Sequence, residues 1–172
     1  MMPIRAIAFD IDGVLTDDGL YVSPDARAVK RFSVRDRSGL WRALREGLRI
    51  ALISGDSTPD GVDIGRRYAE TLGLTDVWLG CHDKAKALCE FASRHGLALS
   101  EVCFMGDDTL DVPAMRMAGT AAAPCDAHPS VLAVAHRITR AAGGRGAVRE
   151  LVDAVLDEGG VPVVLAEEEV RS

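Results

Sequence analysis

Two aspartates at the end of an apolar run are the residues of this chain best placed to do chemistry. Asp10 and Asp12 follow the apolar residues 7–9 and precede Gly13. Carboxylates two positions apart at a strand end can point toward one site, and a glycine there frees the backbone to turn. The pair therefore predicts a catalytic or metal-binding edge.

Two further polar loops follow apolar stretches in the same way. One is 54–57, with the sequence Ser-Gly-Asp-Ser, and the other is 106–111, which contains Asp107, Asp108 and Asp111. Clustered carboxylates repel one another in a partly desolvated cleft unless a cation lies among them. Oxygen ligands without histidine or cysteine favour a hard ion, and Mg²⁺ is the first choice because it bridges protein carboxylates to phosphate.

The chemistry that such a site could perform is phosphoryl transfer. With Mg²⁺ present, one carboxylate can attack a phosphorus atom, and a second can protonate the leaving alcohol and later accept a proton from water. The other phosphoryl oxygens need positive and hydrogen-bonding groups, because catalysis of phosphoryl transfer is mostly electrostatic and positional. Lys84 and the groups around Ser54 and Gly55 are the natural suppliers.

Alternating strand and helix patterns predict how these loops are brought together. Short β-prone segments at 20–22 and 28–34 predict a β-hairpin directly after the first acids. The further strands are predicted near 48–53, 76–79, 101–105, 120–123 and 137–139, and the helices near 37–46, 64–72, 83–94, 112–118, 130–135 and 146–158. This alternation predicts a Rossmann-like α/β fold, a parallel sheet with helices on both faces, in which ligands bind beyond the carboxyl ends of the strands.

Length and composition predict one acidic domain with an ordinary hydrophobic core. The 172 residues are 48% apolar and carry a formal charge of −6, without a basic block for a nucleic acid. We expect one domain at 1–160 and a C-terminal tail at 161–172. The absence of a signal sequence and of a long apolar run predicts a cytoplasmic protein with no membrane partner. The four cysteines lack zinc-site spacing and are expected to be reduced thiols.

Four short motifs together resemble those of the haloacid dehalogenase superfamily of aspartyl phosphatases, in the same order. They are Asp10-x-Asp12-Gly13-Val14-Leu15-Thr16, Ser54-Gly55, Asp83-Lys84 and Gly106-Asp107-Asp108-x-x-Asp111. Segments 34–36, 126–129 and 143–150 resemble the capless branch of this superfamily that includes 3-deoxy-D-manno-octulosonate 8-phosphate phosphatase. The resemblance spans about residues 4–158 and implies a phosphatase without a large cap domain.

The resemblance implies a catalytic role for each matching residue. Asp10 would be the nucleophile that becomes an aspartyl-phosphate, and Asp12 would be the general acid and base. The transferring phosphoryl group would be bound by Ser54, Gly55 and Lys84. The implied activity is that of a Mg²⁺-dependent phosphomonoesterase.

The same resemblance implies the metal site and the assembly. Mg²⁺ would be bound by Asp10, the backbone carbonyl of Asp12, Asp107 and Asp108, with Asp111 holding the loop. The branch is similar in being tetrameric, so a homotetramer with shared active sites is implied. In it, a neighbouring subunit meets the hairpin, and the glycine-rich C-terminal loop closes over an active site. The expected partner is a small sugar phosphate and not a nucleic acid.

Position 56 is where the chain departs from the octulosonate enzymes. They typically carry Thr-Gly-Arg after the second strand, whereas this chain has Ser54-Gly55-Asp56. A related group that acts on nine-carbon ulosonate phosphates resembles this chain in having an acid there. The expected substrate is a sugar acid of the 3-deoxy-octulosonate 8-phosphate type, with a nonulosonate 9-phosphate of the KDN or sialic-acid type as the alternative. Arg35, Asp56 and Arg145 are the candidate specificity residues.

Two other classes of function are compatible with the same fold. A catalytically silent oligomeric scaffold would be expected to have lost at least one of the acids, Ser54 or Lys84, yet all are present. A phosphomutase or dehalogenase usually has a sizeable cap after the first or second motif, and neither gap is long enough for a helical domain. The sequence therefore favours the phosphatase.

Overall fold

The strands and helices follow the predicted alternation along the chain. The computed structural model describes residues 4–24 and 27–157. The strands are β1 (Ala6–Phe9), β2 (Thr16–Val22), β3 (Ala28–Phe32), β4 (Arg49–Ile53), β5 (Val77–Trp78), β6 (Val102–Met105), β7 (Thr120–Ala123) and β8 (Arg137–Ile138). The α-helices are α1 (Val34–Arg45), α2 (Pro59–Thr71), α3 (Lys84–Arg94), α4 (Val112–Met117), α5 (Pro129–Leu132) and α6 (Ala147–Leu156). The predicted tail at 161–172 lies outside the described residues, so the division into domain and tail stays a prediction.

Six parallel strands form the central sheet, in the order β5-β4-β1-β6-β7-β8. Side chains alternate across a strand, so β1 contributes to two cores. Ile7 and Phe9 pack with residues of α1, α2 and α6, while Ala6 and Ala8 pack with residues of α3, α4 and α5. The predicted Rossmann-like sheet with helices on both faces is confirmed.

Strands β2 and β3 form a separate antiparallel hairpin directly after the first acids, as predicted. We call these two strands the flap. The pairing register shifts between Thr16 and Leu20, and Asp18 lies within this irregularity with a φ of 57°. Four apolar side chains of the flap are exposed, namely Leu20, Tyr21, Val22 and Val29.

Helix α1 begins earlier than the sequence pattern indicates. The predicted strand continued to Val34, but the structure ends β3 at Phe32 and starts α1 at Val34. The reason is Ser33, whose side chain accepts a hydrogen bond from the backbone N–H of Asp36 at 3.3 Å. A serine in this position stabilises a helix start by about 1 kcal/mol, which outweighs the strand preference of a single valine.

The buried carboxylate of Asp36 joins α1 to α6. It accepts hydrogen bonds from the backbone N–H groups of Gly146 at 3.0 Å and Arg149 at 2.9 Å. Gly146 precedes α6 with a φ of 116° and has no side chain that could cap the helix. Asp36 of α1 therefore accepts the hydrogen bonds of N–H groups at the start of α6. Gly39 permits the close approach, since a Cβ atom there would lie 3.0 Å from the Cα of Arg149.

The carboxyl edge of the sheet is open in the part of the chain that the structure describes. The connection after β1 carries only the flap, and the connection after β4 leads directly into α2. A large cap domain is therefore absent from residues 4–24 and 27–157. None of the helices in these residues combines the length and the apolar character needed to cross a bilayer.

Candidate active site

The predicted catalytic loops meet at the carboxyl edge of the sheet. Asp10 follows β1 directly, Ser54 follows β4 directly, and Asp107 comes two residues after the end of β6. These strands are neighbours in the sheet, so the loops that follow them lie side by side. Asp10 and Ser54 are buried, with 5% and 3% of their surface exposed. The topology thus brings the predicted nucleophile and a predicted phosphate ligand to one place.

Three carboxylates form a compact cluster at this edge. Asp10, Asp107 and Asp111 each contribute one oxygen, and these oxygens lie within 4.8 Å of one another. The ammonium group of Lys84 lies 2.8 Å from Oδ2 of Asp10 and 2.6 Å from Oδ1 of Asp111. One buried cation therefore faces three acids, and the cluster carries an excess of potential negative charge.

Burial and mutual repulsion change the proton affinities of this cluster. The pKa of Asp10 is raised from 3.8 to about 7, first by burial and then by the charge of Asp111, against the lowering effect of Lys84. The pKa of Asp107 is raised to about 8, first by burial and then by the charges of Asp10 and Asp111. Burial lowers the pKa of Lys84, but the neighbouring carboxylates outweigh this effect and hold the pKa above its ordinary value. The positive charge of Lys84 is therefore too small to keep both Asp10 and Asp107 fully ionised at neutral pH.

The carboxylate of Asp107 gives the clearest indication of a cation site. Its Oδ1 atom is buried and has no hydrogen-bond partner among the described residues. Asp111, by contrast, has both oxygens engaged, one by Lys84 and the other by the backbone N–H groups of Asp107 and Asp108 at 3.0 and 3.2 Å. A buried, unpartnered carboxylate oxygen is costly unless a cation compensates it, and an all-oxygen donor set suits Mg²⁺. The cluster fits a hard divalent cation held by Asp10 and Asp107, with Asp111 ordering the loop.

Asp108, a predicted metal ligand, lies apart from the cluster. The residue is exposed, and its Oδ1 atom accepts a hydrogen bond from the backbone N–H of Thr109 at 2.7 Å. That bond starts the short 3₁₀ turn that ends at Asp111. The structure thus places Asp111, and not Asp108, beside Asp10 and Asp107, and a metal-binding role for Asp108 stays a prediction.

The carboxylate of Asp12, the predicted general acid and base, contacts the flap. Its Oδ1 atom lies 2.6 Å from Nζ of Lys30, which also lies 2.6 Å from Oδ2 of Asp56. Burial lowers the pKa of Lys30, but the hydrogen bonds to the two carboxylates outweigh this effect and raise it above its ordinary value. One lysine of the flap therefore contacts two of the predicted site residues.

Lys30 is absent from the predicted site residues, although the sequence pattern contains a signal for it. Along β3, Ala28, Lys30 and Phe32 are partly buried, while the alternating residues Val29 and Arg31 are exposed. Period-two alternation puts Lys30 on the inward face of the strand, between an alanine and a phenylalanine. A lysine in such a position is expected to have an acidic partner.

The three predicted phosphate-binding residues lie together beside Asp10. Ser54 is fixed by its backbone N–H, which donates to the carbonyl of Trp78 at 2.8 Å. Gly55 lies next to the Lys84 side chain, since a Cβ atom on Gly55 would lie 3.8 Å from Cε of Lys84. Lys84 is the first residue of α3. The side chain of Asp83 caps this helix start by accepting a hydrogen bond from the N–H of Lys86 at 3.0 Å, so the ammonium of Lys84 is the group suited to an anion.

The candidate specificity residues have different surroundings. The carboxylate of Asp56 has both oxygens engaged, one by Lys30 and the other by the N–H and hydroxyl of Thr58 at 2.9 and 2.7 Å. Burial raises the pKa of Asp56, but these hydrogen bonds outweigh it and leave the pKa below its usual range. Arg145 is exposed and contacts Asp17 at 3.4 Å, and Arg35 is also exposed. No contact of either arginine with the acidic cluster is present in the described residues.

The glycine-rich loop 143–146 packs against the loop that follows Asp12. The backbone N–H of Gly144 donates to the carbonyl of Val14 at 2.9 Å. A Cβ atom on Gly143 would overlap the carbonyl oxygen of Gly13, so only glycine permits this contact. The described loop therefore supports the loop that carries Asp10 and Asp12 in its own chain.

Comparison with known proteins places this chain in a family. Residues 66–151 match the model of the haloacid dehalogenase-like hydrolases. The 3-deoxy-D-manno-octulosonate 8-phosphate phosphatase of Escherichia coli K12 is 37% identical over 153 residues, which are 89% of this chain and 79% of that protein. The corresponding phosphatase of Yersinia pestis has a crystal structure that matches with a TM-score of 0.84 at 36% identity, over 89% of this chain and 80% of that chain.

A third similar protein has been crystallised with ligands. It is the 3-deoxy-D-manno-octulosonate 8-phosphate phosphatase of Moraxella catarrhalis, in complex with a magnesium ion, a phosphate ion and a KDO molecule. Its TM-score is 0.83 at 33% identity, over 89% of this chain and 86% of that chain. The chain described here therefore belongs to the haloacid dehalogenase-like hydrolases, as a phosphatase of the capless branch that resembles 3-deoxy-D-manno-octulosonate 8-phosphate phosphatase.

Proposed function

We propose that this phosphatase is a Mg²⁺-dependent phosphomonoesterase that hydrolyses a phosphorylated sugar acid of the 3-deoxy-octulosonate 8-phosphate type through an aspartyl-phosphate. The observation that carries the proposal is the buried cluster of Asp10, Asp107 and Asp111 against the single ammonium of Lys84. The names of the similar enzymes and the ligands of the Moraxella catarrhalis structure support the substrate class. The proposed location is the cytoplasm.

Mg²⁺ is the cofactor, as predicted from the oxygen-only donor set and supported by the magnesium-containing neighbour. When bound, it supplies positive charge that offsets the charge of the phosphoryl group and of the clustered acids. Asp10 and Asp107 are the side chains proposed to hold it, together with the backbone carbonyl of Asp12. Asp111 and Lys84 keep these groups in place through the contacts described above.

The first step is the transfer of the phosphoryl group to Asp10. A carboxylate oxygen of Asp10 forms a bond to phosphorus while the phosphorus–oxygen bond of the ester breaks. The carboxyl group of Asp12 gives its proton to the leaving oxygen, which departs as the sugar alcohol. Lys84, the Ser54 hydroxyl and the N–H of Gly55 bind the remaining phosphoryl oxygens and stabilise their charge.

The second step releases phosphate and restores the enzyme. Water attacks the phosphorus of the aspartyl-phosphate, and the carboxylate of Asp12 accepts the proton that the water loses. The bond between phosphorus and Asp10 breaks, so Asp10 returns to its carboxylate form and inorganic phosphate leaves. Asp12 is then protonated again and ready for the next ester.

A nonulosonate 9-phosphate is the second candidate substrate, and the observation that favours it is the acid at position 56. Asp56 is ionised and pairs with Lys30. A carboxylate at this position replaces the arginine that the octulosonate enzymes typically have. The eight-carbon and nine-carbon acids differ in the length of the polyol chain that this region would meet.

The assembly proposed for this enzyme is a homotetramer with shared active sites. The exposed apolar residues of the flap support it, because apolar side chains grouped on a hairpin are typical of a surface that another protein covers. The proposal predicts that light scattering at micromolar concentration gives four times the mass of the chain. An active monomer would contradict it.

The activity is tested by measuring phosphate release from 3-deoxy-D-manno-octulosonate 8-phosphate and from p-nitrophenyl phosphate, with and without Mg²⁺. We expect release that requires Mg²⁺ and that falls by at least about a thousandfold in Asp10→Asn, because amide nitrogen cannot replace the nucleophile. Asp63→Asn is the matched control, since Asp63 is exposed and pairs with Arg66 on the surface of α2. Activity that survives in Asp10→Asn would exclude the aspartyl-phosphate mechanism.

A further inference from the structure

We propose that Lys30 is a positioning residue of this enzyme, which reaches from the flap to hold Oδ1 of Asp12 and leaves the other oxygen of that carboxyl group to carry the transferred proton. Asp56 in turn holds Lys30, so the acid at position 56 acts on Asp12 through the lysine. The inference deepens the proposed function and rests on it, because it takes Asp12 as the proton donor.

The contact geometry is the first argument. The ammonium of Lys30 lies 2.6 Å from one oxygen of Asp12 and 2.6 Å from one oxygen of Asp56, so two of its three N–H groups have acceptors. The lysine side chain is only 7% exposed, while those of Asp12 and Asp56 are 29% and 21% exposed. A nearly buried ammonium that two carboxylates share is held in one place and orients both of them.

The anchoring of β3 on both sides of Lys30 is the second argument. Two residues before it, the backbone N–H of Ala28 donates to Oδ2 of Asp60 at 2.7 Å. Two residues after it, the ring of Phe32 stacks on Tyr68 with centroids 3.9 Å apart. Both partners belong to α2, so the strand that carries Lys30 is docked to the body of the enzyme independently of the lysine's charge.

The surroundings of Asp12 are the third argument. Among the described residues, Lys30 is the only group recorded as an ion-pair partner for the Asp12 carboxylate. Asp10, by contrast, is held by Lys84 and by the backbone N–H of Ile11. The nucleophile is therefore held by α3 and by its own loop, and the proton donor is held by the flap.

The test compares two phosphate esters that differ in their need for a proton. p-Nitrophenol leaves without protonation, whereas the alcohol of glycerol 1-phosphate requires it, and neither ester carries a carboxylate that Lys30 could bind instead. The value of kcat/KM reports the steps up to the aspartyl-phosphate, so it isolates the first proton transfer. In Lys30→Met we expect kcat/KM to fall by about tenfold to a hundredfold for glycerol 1-phosphate and by less than about threefold for p-nitrophenyl phosphate.

Three further variants complete the design. Lys30→Arg restores most of the loss, because the guanidinium can pair with both acids. Asp56→Asn reduces turnover of glycerol 1-phosphate in the same selective way, and adds little in the Lys30→Met background because both act through one contact. Lys86→Met is the matched control, since that side chain is 72% exposed and meets only Glu90 at 3.9 Å.

Each alternative result has a definite meaning. Equal losses with the two esters would show a structural role for Lys30 and overturn the inference, as would unchanged activity in Lys30→Met. Thermal unfolding of each variant is measured alongside, and if Lys30→Met does not fold, Lys30→Gln and Asp56→Asn decide the question by the same ratio. A wild-type protein inactive toward both esters and toward the sugar acid phosphates would instead refute the proposed function.

Discussion

Gly13 lies directly against the carboxylate of Asp107, so closely that a Cβ atom on Gly13 would overlap it. The glycine also has a φ of 76°, which residues with a side chain rarely adopt. The loop after β1 and the loop after β6 therefore touch through a glycine and an acid. This contact brings the acid with the unpartnered oxygen next to the loop that carries Asp10 and Asp12.

Gly13→Ala is expected to lower both stability and the affinity for Mg²⁺. The positive φ costs about 1–3 kcal/mol for a residue with a side chain, and the added methyl group displaces the Asp107 carboxylate. Gly96→Ala is the matched control, because Gly96 also has a positive φ but nothing lies within 4 Å of its Cβ position. Thermal unfolding and the Mg²⁺ concentration at half-maximal activity are the measurements. The same half-maximal concentration in the two variants would contradict the expectation.

The stability of the metal-free enzyme is expected to fall as the pH rises. The pKa values of Asp10 and Asp107 in the folded protein, about 7 and about 8, lie above the value of 3.8 for an exposed acid. The folded protein therefore binds more protons than the unfolded chain between about pH 4 and about pH 8, and the free energy of unfolding decreases through this window.

Added Mg²⁺ should reverse this trend, because a bound cation favours the ionised acids. We expect the Tm in EDTA to drop between about pH 5 and about pH 8.5, and the increase in Tm on adding Mg²⁺ to be larger at the higher pH. Asp107→Asn should flatten both dependences, since it removes one of the two shifted acids. An equal effect of Mg²⁺ at both pH values would count against the cluster as the metal site.

Asp36 is expected to be important for stability and not for catalysis. In Asp36→Ala the buried N–H groups of Gly146 and Arg149 lose their acceptor, which costs about 2–4 kcal/mol. Asp36→Asn keeps one carbonyl oxygen and should fall between alanine and the wild type. Urea unfolding measures the loss, and kcat/KM of the folded variants should stay close to that of the wild type. A large change in KM with normal stability would point to a substrate contact instead.

Asp56→Arg is expected to change the preference between eight-carbon and nine-carbon substrates. The variant replaces the acid that pairs with Lys30 by a cation, which repels the lysine and offers a new partner for a sugar carboxylate. The measurement is the ratio of kcat/KM for 3-deoxy-D-manno-octulosonate 8-phosphate to that for a nonulosonate 9-phosphate. Asp56→Asn serves as the control that removes the charge without reversing it. An unchanged ratio in Asp56→Arg would remove the reason to consider the nine-carbon acid.

Local patterns were sufficient to predict most of the fold. Apolar runs that end in acids locate β1, β4 and β6, and short connections between strands and helices leave few topologies other than a parallel sheet. The same logic predicts that Asp10, Ser54 and Asp107 lie at one edge, because strand direction alone decides it. The start of α1 was wrong by a few residues, because the capping hydroxyl of Ser33 outweighs the strand preference of Val34.

Long-range contacts were beyond the reach of such patterns. Asp108 and Asp111 are aspartates of the same acidic loop. The 3₁₀ turn between them directs Asp108 outward and Asp111 toward Lys84. The cap that Asp36 provides for α6 links residues that are 110 positions apart. The position of Lys30 on the inward face of β3 could be predicted, because it follows from the alternation along the strand. Its partners could not, because they depend on how the flap docks on α2.

The order of strands in the sheet has a consequence for biosynthesis. The ribosome makes β1 and Asp10 before either neighbour of β1 in the sheet, because β4 and β6 end at residues 53 and 105. The loop after Asp12 also lacks one of its hydrogen bonds until Gly144 has been made, because the N–H of Gly144 donates to the carbonyl of Val14. Asp10 is therefore translated well before the strands and the glycine that position its loop, and we expect phosphatase activity only after residue 144 has left the ribosome. The acidic cluster can form only after β6 has been made, because Asp107 and Asp111 follow that strand.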